Sequence, residues 1–342
     1  MKKSEAGQER CDLAIRGARV LTPYGLLAVS LGITRGRIAA MGGNPVADET
    51  LDAQGLWVLP GAVDGHTHME APAFGIRSRD TFESGTKAAA AGGVTTIVDF
   101  TVAAGGTLAL EIESRIAAAR GAVVDVALHA EIAGWRAGRA GEVADAVGLG
   151  IRSFKFYTVY AERSDPEQLS DAFRAIAAVD GVAMVHAEDA EIVRTATTAL
   201  SHAERRRATA LPRSRPATAE STAISLVATL AERFGARLHI AHVSSGSGCE
   251  AVRQAKARGV RITAETCPHY LVLDEGVYER ADGRAWTVIP PLRTAADREA
   301  LWSALRDGTV DAVATDHCPF VRADKEVGDD VLEIPCGLPG VE

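Results

Sequence analysis

Residues 57–68, WVLPGAVDGHTH, form a short apolar run that ends in polar side chains, and they begin the pattern that decides the fold. Seven further β-rich runs follow along the chain. They are GVTTIVDF (93–100), VVDVALHAE (123–131), IRSFKFY (151–157), VAMVHAE (182–188), ARLHIAHVS (236–244), GVRITAETC (259–267) and TVDAVATDH (309–317). Short apolar runs bounded by turn residues are typical of buried strands.

Ala-rich stretches with helical character separate these runs. They include DTFESGTKAAAAG (80–92), LALEIESRIAAARG (108–121), DPEQLSDAFRAIAAV (165–179), AESTAISLVATLAERFG (219–235), CEAVRQAKARG (249–259) and ADREALWSALRDG (296–308). Several end at Gly, the usual helix stop. Eight strands that alternate with helices predict an α/β fold, a closed (β/α)8 barrel of the TIM type. A doubly wound open sheet is the alternative, but it has no reason to stop at eight strands.

Before the barrel, residues 11–58 consist of short β-rich runs separated by turns. Gly17, Gly25 and Gly36 punctuate them at close intervals, which predicts a small antiparallel sheet. We therefore divide the chain into a β region, residues 1–58, and a barrel, residues 59–342.

The composition narrows the class of protein. With 342 residues, 47% of them hydrophobic, the chain can bury a large core. A net charge of −8 does not favour nucleic-acid binding, and no apolar run of the ~18 residues that cross a membrane is present. The stretch MKKSEAGQER lacks the apolar core of a secretory signal, and the five cysteines include no CxxC pair. We therefore expect a cytoplasmic protein with reduced cysteines.

Residues of the types that bind metals collect at the ends of the predicted strands, where barrel enzymes place their chemistry. His66 and His68 are two residues apart on one strand, so their side chains project from the same face. Such a pair alone is a weak signal. His186, His242 and Asp316, each at another strand end, make a metal site the better interpretation, and imidazole with carboxylate suits Zn²⁺.

Lys155 interrupts the apolar strand SFKFY. A lysine near a strand end can simply extend to solvent, and its ammonium has no lone pair for a metal ion. Burial would lower its pKa and favour the neutral amine, which reacts with CO₂ to form a carbamate that can bridge two metal ions. The residues alone leave both interpretations open.

Several other polar residues receive no catalytic role. His129 and His239 lie inside strands and are predicted to be hydrogen-bonded groups of the core or neighbours of the site, whereas His202 lies in a charged surface stretch. Asp64 is a candidate to orient a ligand histidine, since metal-bound imidazoles normally donate their second N–H to an acceptor.

Ordered motifs along almost the whole chain resemble the cyclic amidohydrolases, closest to the hydantoinases and dihydropyrimidinases. They include GLWVLPGAVDGHTHME (55–70), SFKFYTVY (153–160), MVHAED (184–189), HIAHVSSGSG (239–248), AETCPHYL (264–271) and IPCGLPGVE (334–342). The resemblance implies a (β/α)8 barrel with a small β-sandwich built from both chain ends. It also implies hydrolysis of a ring C–N bond by a hydroxide that bridges two divalent metal ions, usually Zn²⁺.

Carried over residue by residue, the resemblance implies a complete set of ligands. They are His66, His68 and Asp316 for one ion, His186 and His242 for the other, and Lys155, carboxylated by CO₂, as the bridge. Tyr160 falls where the family has a tyrosine that contacts the substrate carbonyl. Asp316 would also pass the water proton to the leaving nitrogen.

Three positions bear on the substrate. Ile289 stands where hydantoinases often have serine, and Cys336 where they often have asparagine; the family's contacts to the ring there are largely through the main chain. Glu70 stands where dihydroorotases usually have an arginine that holds a carboxylate. We therefore expect a small cyclic amide of the hydantoin or dihydropyrimidine type as substrate. Allantoinase and a catalytically inactive dihydropyrimidinase-like scaffold are the alternatives.

Family chains continue beyond the motif at residues 334–342, through the last barrel helix and the returning sandwich strands. We accordingly expect these parts to be missing here, with unpaired strand edges in residues 1–58 that favour aggregation. For the full-length protein, the resemblance implies a homo-oligomer, either a dimer or a tetramer.

Overall fold

The computed structural model describes residues 10–136 and 138–342. The chain divides into two compact units, Met1–Gly61 and Ala62–Glu342. Within the described ranges, no helix is both long and apolar enough to cross a membrane.

The described residues of the first unit form two small sheets. Their strands are β1 (Cys11–Arg16), β2 (Arg19–Thr22), β3 (Gly25–Ala28), β4 (Leu31–Thr34), β5 (Arg37–Met41), β6 (Ala47–Asp52) and β7 (Trp57–Val58). The strand orders are β5-β4-β1-β6 and β3-β2-β7. The expected antiparallel pairing is present between β1 and β4, β4 and β5, and β2 and β3. The sheets are mixed, however, because β1 pairs in parallel with β6 and β2 with β7. Other strands intervene within each of these pairs, so the chain crosses over and returns in the same direction.

The second unit contains the barrel. Its strands are β8 (Ala62–Thr67), β11 (Val94–Phe100), β12 (Asp125–Glu131), β13 (Ser153–Tyr157), β14 (Val182–His186), β15 (Arg237–Ile240), β16 (Ile262–Thr266) and β17 (Ala312–Val313), with a hairpin of β9 (Pro72–Ala73) and β10 (Ile76–Arg77) after β8. Each barrel strand pairs in parallel with the next. A parallel bridge between Thr67 and His317 joins β8 to the segment after β17 and closes the ring. The predicted (β/α)8 barrel is thus confirmed.

Helices surround and connect the barrel strands. They are α1 (Phe82–Ala91), α2 (Leu108–Ala118), α3 (Arg139–Gly148), α4 (Pro166–Ala178), α5 (Ala190–Thr198), α6 (His202–Arg205), α7 (Ala210–Ser214), α8 (Ala217–Phe234), α9 (Gly246–Ala257), α10 (Pro268–Val272), α11 (Ala295–Arg306) and α12 (Arg322–Lys325). Helix α4 shows why these stretches are helical. Asp165 caps its start by accepting a hydrogen bond from the backbone N–H of Gln168 at 2.8 Å, and Leu169, Phe173 and Ile176 form a buried stripe at helical spacing.

Alternation along β13 determines which side chains face the inside of the barrel. Phe154 and Phe156 are fully buried in the main hydrophobic core, and Phe156 packs against Phe173 of α4 with ring centroids 6.4 Å apart. Lys155 and Tyr157, at the alternate positions, point to the opposite face of the strand. Both of them line a cavity at that face.

A buried ion pair fixes the barrel rim beside β8. Arg115 of α2 donates from Nε to Oδ1 of Asp99 at 3.0 Å. The other oxygen, Oδ2, accepts from the Met69 backbone N–H at 2.8 Å and from the Thr67 hydroxyl at 3.1 Å. Because Thr67 and Met69 flank His68, this ion pair holds the backbone that carries the HxH pair.

Replacing Arg115 with Met should lower the free energy of unfolding by about 3–5 kcal/mol, because the Asp99 carboxylate would stay buried without its counter-charge. Chemical denaturation followed by circular dichroism measures this change. Arg174→Met is the control, since Arg174 forms an exposed pair with Asp171 and such pairs contribute little. If both variants lost an equally small amount of unfolding free energy, the Arg115–Asp99 pair would not stabilise the barrel rim as described.

Candidate active site

Three side chains of the ligand type meet at the carboxyl end of the barrel strands. The Nε2 atoms of His66 and His68 lie 3.1 Å apart. Oδ1 of Asp316 lies 3.2 Å from Nε2 of His66 and 3.0 Å from Nε2 of His68. The three donor atoms therefore surround one point, and such a group could hold a metal ion.

A second pair of imidazoles lies beside this group. Nδ1 of His186, at the end of β14, is 3.0 Å from Nε2 of His242, which follows β15. The ring centroids of His66 and His242 are 5.4 Å apart. The pair and the first group therefore line the same cavity.

Lys155 lies in the same cavity on β13 and is 1% exposed. Its Nζ atom is 5.1 Å from the ring centroid of Phe100, a ring that also packs against His66 and His68. Burial lowers the pKa of Lys155, although nearby carboxylates such as Asp316 oppose that shift. A lowered pKa favours the neutral amine, which is the form that reacts with CO₂.

Two buried carboxylates determine which nitrogen of His66 and of His186 is available to a metal ion. His66 donates from Nδ1 to Glu265 at 2.5 Å, which leaves its Nε2 free as a ligand. His186 donates from Nε2 to Glu188 at 2.7 Å, which leaves its Nδ1 free. An acceptor on the second nitrogen is the usual way in which proteins set the tautomer of a metal-binding histidine.

The expectation that Asp64 orients a ligand imidazole is wrong. Asp64 accepts hydrogen bonds from the backbone N–H of His66 at 3.2 Å and from the backbone N–H and hydroxyl of Thr315 at 3.0 and 2.5 Å. Its side chain thus joins β8 to the segment that carries Asp316. Glu265 on β16 orients the His66 ring instead, and it also lies 3.2 Å from Nε2 of His239, a histidine predicted to neighbour the site.

Burial sets the protonation states of the site. It lowers the pKa of His66 and His186 and, with repulsion from His186, it lowers the pKa of His242 well below its usual value. Burial alone would raise the pKa of Asp316, but its contacts with His66 and His68 hold that pKa well below the ordinary range. The imidazoles of His66, His186 and His242 are therefore neutral and the carboxylate of Asp316 is ionised, the states that bind a divalent cation.

The cavity has a volume of about 540 Å³, and the three predicted substrate-binding positions also line it. These positions are Tyr160, Ile289 and Cys336. The ring of Tyr160 lies 5.1 Å from the ring of His186 between centroids. Burial raises the pKa of Tyr160 far above its ordinary value, so the hydroxyl keeps its proton and can donate a hydrogen bond.

Arg215 is a site residue for which sequence reasoning predicted no role. It forms a buried ion pair with Glu188 at 2.5 Å, and its guanidinium carbon lies 5.0 Å from the ring centroid of Tyr160. Arg215 therefore links the carboxylate that orients His186 to the tyrosine of the cavity. In the sequence, Arg215 begins the stretch RPATAEST (215–222), which also resembles the cyclic amidohydrolases, and that resemblance was the available signal.

Lys325 is a second residue that the sequence did not single out. Its buried ammonium donates to the carbonyl oxygens of Ala285 at 3.0 Å, Thr287 at 2.9 Å and Gly337 at 2.6 Å. Gly337 and the neighbouring Cys336 line the cavity, so Lys325 holds part of its wall in place. Burial lowers the pKa of Lys325 to about 8. In the sequence, the polar stretch ADKEVGDD gives no sign of this burial.

Similarity to known proteins extends over nearly the whole chain. Residues 57–335 match the profile of the amidohydrolase family. A D-hydantoinase of Ralstonia pickettii is 35% identical in an alignment that covers 97% of this chain and 74% of that protein. The structure of a D-hydantoinase from a Bacillus sp. AR9 matches with a TM-score of 0.91 at 34% identity, over 97% of this chain and 74% of that chain. A dihydropyrimidinase from Brevibacillus agri NCHU1002 matches with a TM-score of 0.91 at 33% identity, over 96% of this chain and 74% of that chain. By its sequence, its barrel and the residues at the carboxyl ends of the barrel strands, this chain belongs to the amidohydrolase family.

Proposed function

We propose that the protein is a metal-dependent cyclic amidohydrolase that opens a small ring of the hydantoin or dihydropyrimidine type. The observation that carries this assignment is the convergence of two histidine pairs, a lysine and an aspartate in one cavity. The relatives named D-hydantoinase and dihydropyrimidinase support the class of ring.

The side chains of the cavity fit two divalent ions. His66, His68 and Asp316 would hold one ion, His186 and His242 would hold the other, and Lys155, carboxylated by CO₂, would provide oxygen ligands to both. Neutral imidazole nitrogens with a carboxylate suit Zn²⁺. When bound, such ions lower the pKa of a water molecule and polarise the substrate carbonyl.

The residues of the chain itself account for binding and proton transfer. Tyr160 donates its hydroxyl hydrogen bond to the carbonyl oxygen, where negative charge develops as water attacks. Asp316, which is ionised, takes up the water proton and passes it to the ring nitrogen. One water molecule is consumed: its oxygen bonds to the carbonyl carbon, the C–N bond breaks, and the nitrogen gains the proton.

Zinc-loaded protein supplied with bicarbonate should open dihydrouracil or hydantoins in a panel that also contains allantoin and dihydroorotate. Chromatography of the ring-opened product measures turnover on each ring. Turnover of allantoin alone would move the assignment to an allantoinase. Purification without bound metal, together with no turnover, would favour a non-catalytic scaffold.

Lys155→Ala should reduce the bound metal from about two ions per chain and abolish ring opening, because the shared carbamate ligand is lost. Metal content by mass spectrometry and the rate of hydrolysis are measured together. Lys87→Ala, at an exposed position of α1, is the matched control. Full activity of Lys155→Ala without an added short carboxylic acid would rule out the bridging role of Lys155.

Glu265→Gln should weaken Zn²⁺ binding by roughly 10–100-fold, since an amide no longer fixes the His66 tautomer as a carboxylate does. Competition with a chromophoric chelator measures the affinity. Glu279→Gln, an exposed position in the 3-10 turn Glu275–Glu279, serves as the control. An unchanged affinity in Glu265→Gln would show that Glu265 does not support the metal site through His66.

A further inference from the structure

Two carboxylates in the cavity take no part in the reaction described above. Glu131 is the last residue of β12, and Glu162 lies in the loop after β13; both line the cavity. We propose that they form a subsite for a cationic substituent, so that the preferred substrate is a ring with an alkylammonium or guanidinium side chain. This subsite rests on the proposed ring-opening activity and adds the substrate class to it.

Glu131 lies close to the groups that would hold the reacting ring. It is in register with Lys155 across β12 and β13. Its Oε1 atom accepts a hydrogen bond from the Tyr157 hydroxyl at 3.0 Å. The Tyr157 ring lies 5.9 Å from the ring of Tyr160 and 6.0 Å from that of His186 between centroids. A substituent on a ring bound at Tyr160 would therefore be within reach of the Glu131 carboxylate.

Neither carboxylate has a direct ion-pair partner in the described part of the chain. Within residues 10–136 and 138–342, no basic side chain lies within the 4.0 Å ion-pair distance of either carboxylate. Of the other charged groups that line the cavity, Arg115 is already paired with Asp99, and Lys155 is a proposed metal ligand. A cationic substituent on the substrate would thus supply the direct ion-pair partner that Glu131 and Glu162 lack.

The energetics favour a cationic substituent over a neutral or anionic one. Glu131 is half-buried, so water solvates its carboxylate incompletely, and attraction to a cation is stronger there than in bulk water. An alkyl substituent would displace water from the carboxylate without replacing its interactions, and an anionic substituent would be repelled. Glu162 is exposed in the loop, where its charge attracts a cation that approaches the cavity. Dissolved salt weakens this attraction.

The test compares two rings of similar size on the zinc-loaded protein supplied with bicarbonate. The cationic probe is 5-(4-aminobutyl)hydantoin and the neutral probe is 5-pentylhydantoin, in which a methyl group replaces the ammonium. We expect kcat/KM to be about tenfold higher for the cationic ring, the effect of one charge-assisted contact. Raising the ionic strength should reduce this preference.

Variants test whether the two carboxylates cause the preference for the cationic ring. Glu131→Gln keeps an acceptor for the Tyr157 hydroxyl but removes the charge, so the cationic-to-neutral ratio of kcat/KM should fall close to one. Glu162→Gln should lower the ratio by a smaller factor, because this side chain is exposed. Glu167→Gln, an exposed acidic position in the first turn of α4, is the matched control and should leave the ratio unchanged.

Two results would overturn the subsite. One is a ratio at or below one in the unmodified protein. The other is a Glu131→Gln variant that slows both rings equally, which would show that Glu131 acts on the metal centre and not on the substituent. If neither ring is hydrolysed, the ring-opening activity itself fails, and the dissociation constants of the two rings, measured by calorimetry, then decide the subsite by the same ratio.

Discussion

The common direction of the barrel strands is the constraint on which the site depends. All eight strands run in parallel, so their carboxyl ends form a single rim. A residue reaches that rim when it lies near the end of a strand and at a position that faces inwards. His66, Lys155 and His186 meet both conditions, although they belong to different strands and are far apart in sequence. The barrel therefore brings residues that are far apart in sequence together into one cluster of candidate ligands.

Buried hydrogen-bond acceptors then determine which nitrogen atoms of that cluster can bind a metal ion. An imidazole that faces a cavity can present either nitrogen, and only an unprotonated nitrogen binds a cation. Glu265 selects Nε2 of His66, and Glu188 selects Nδ1 of His186. Glu188 is itself paired with Arg215, whose guanidinium lies over the Tyr160 ring. Orientation of the histidine and placement of the tyrosine are consequently coupled through one buried ion pair.

The barrel and the candidate histidine and aspartate ligands could be predicted from local patterns: strand runs, their ends and the parity of residues within them. The role of Lys155 as a ligand was implied only by the resemblance to the family. The side chains that orient the ligands and hold the cavity wall act through packing between elements distant in sequence, which no local pattern indicates. Asp64 was a candidate to orient a ligand histidine, whereas Glu265, distant in sequence, orients the His66 ring. Lys325 lies in a polar stretch typical of a surface, yet its ammonium is buried against three carbonyl oxygens. Such roles emerge only once the elements that surround the side chain are in place.

The backbone is strained at three residues of the same rim. Tyr160, His242 and Asp316 have φ angles of +74°, +39° and +50°, a region that costs a non-glycine residue about 1–3 kcal/mol. The neighbours of His242 stay hydrogen-bonded to adjacent strands, and Thr315 beside Asp316 is held by Asp64. With their flanks fixed, His242 and Asp316 can leave the extended conformation and turn their side chains towards the cavity. Glycine would relieve the strain but would supply neither ligand nor donor, so the strain is retained where the side chain itself is required.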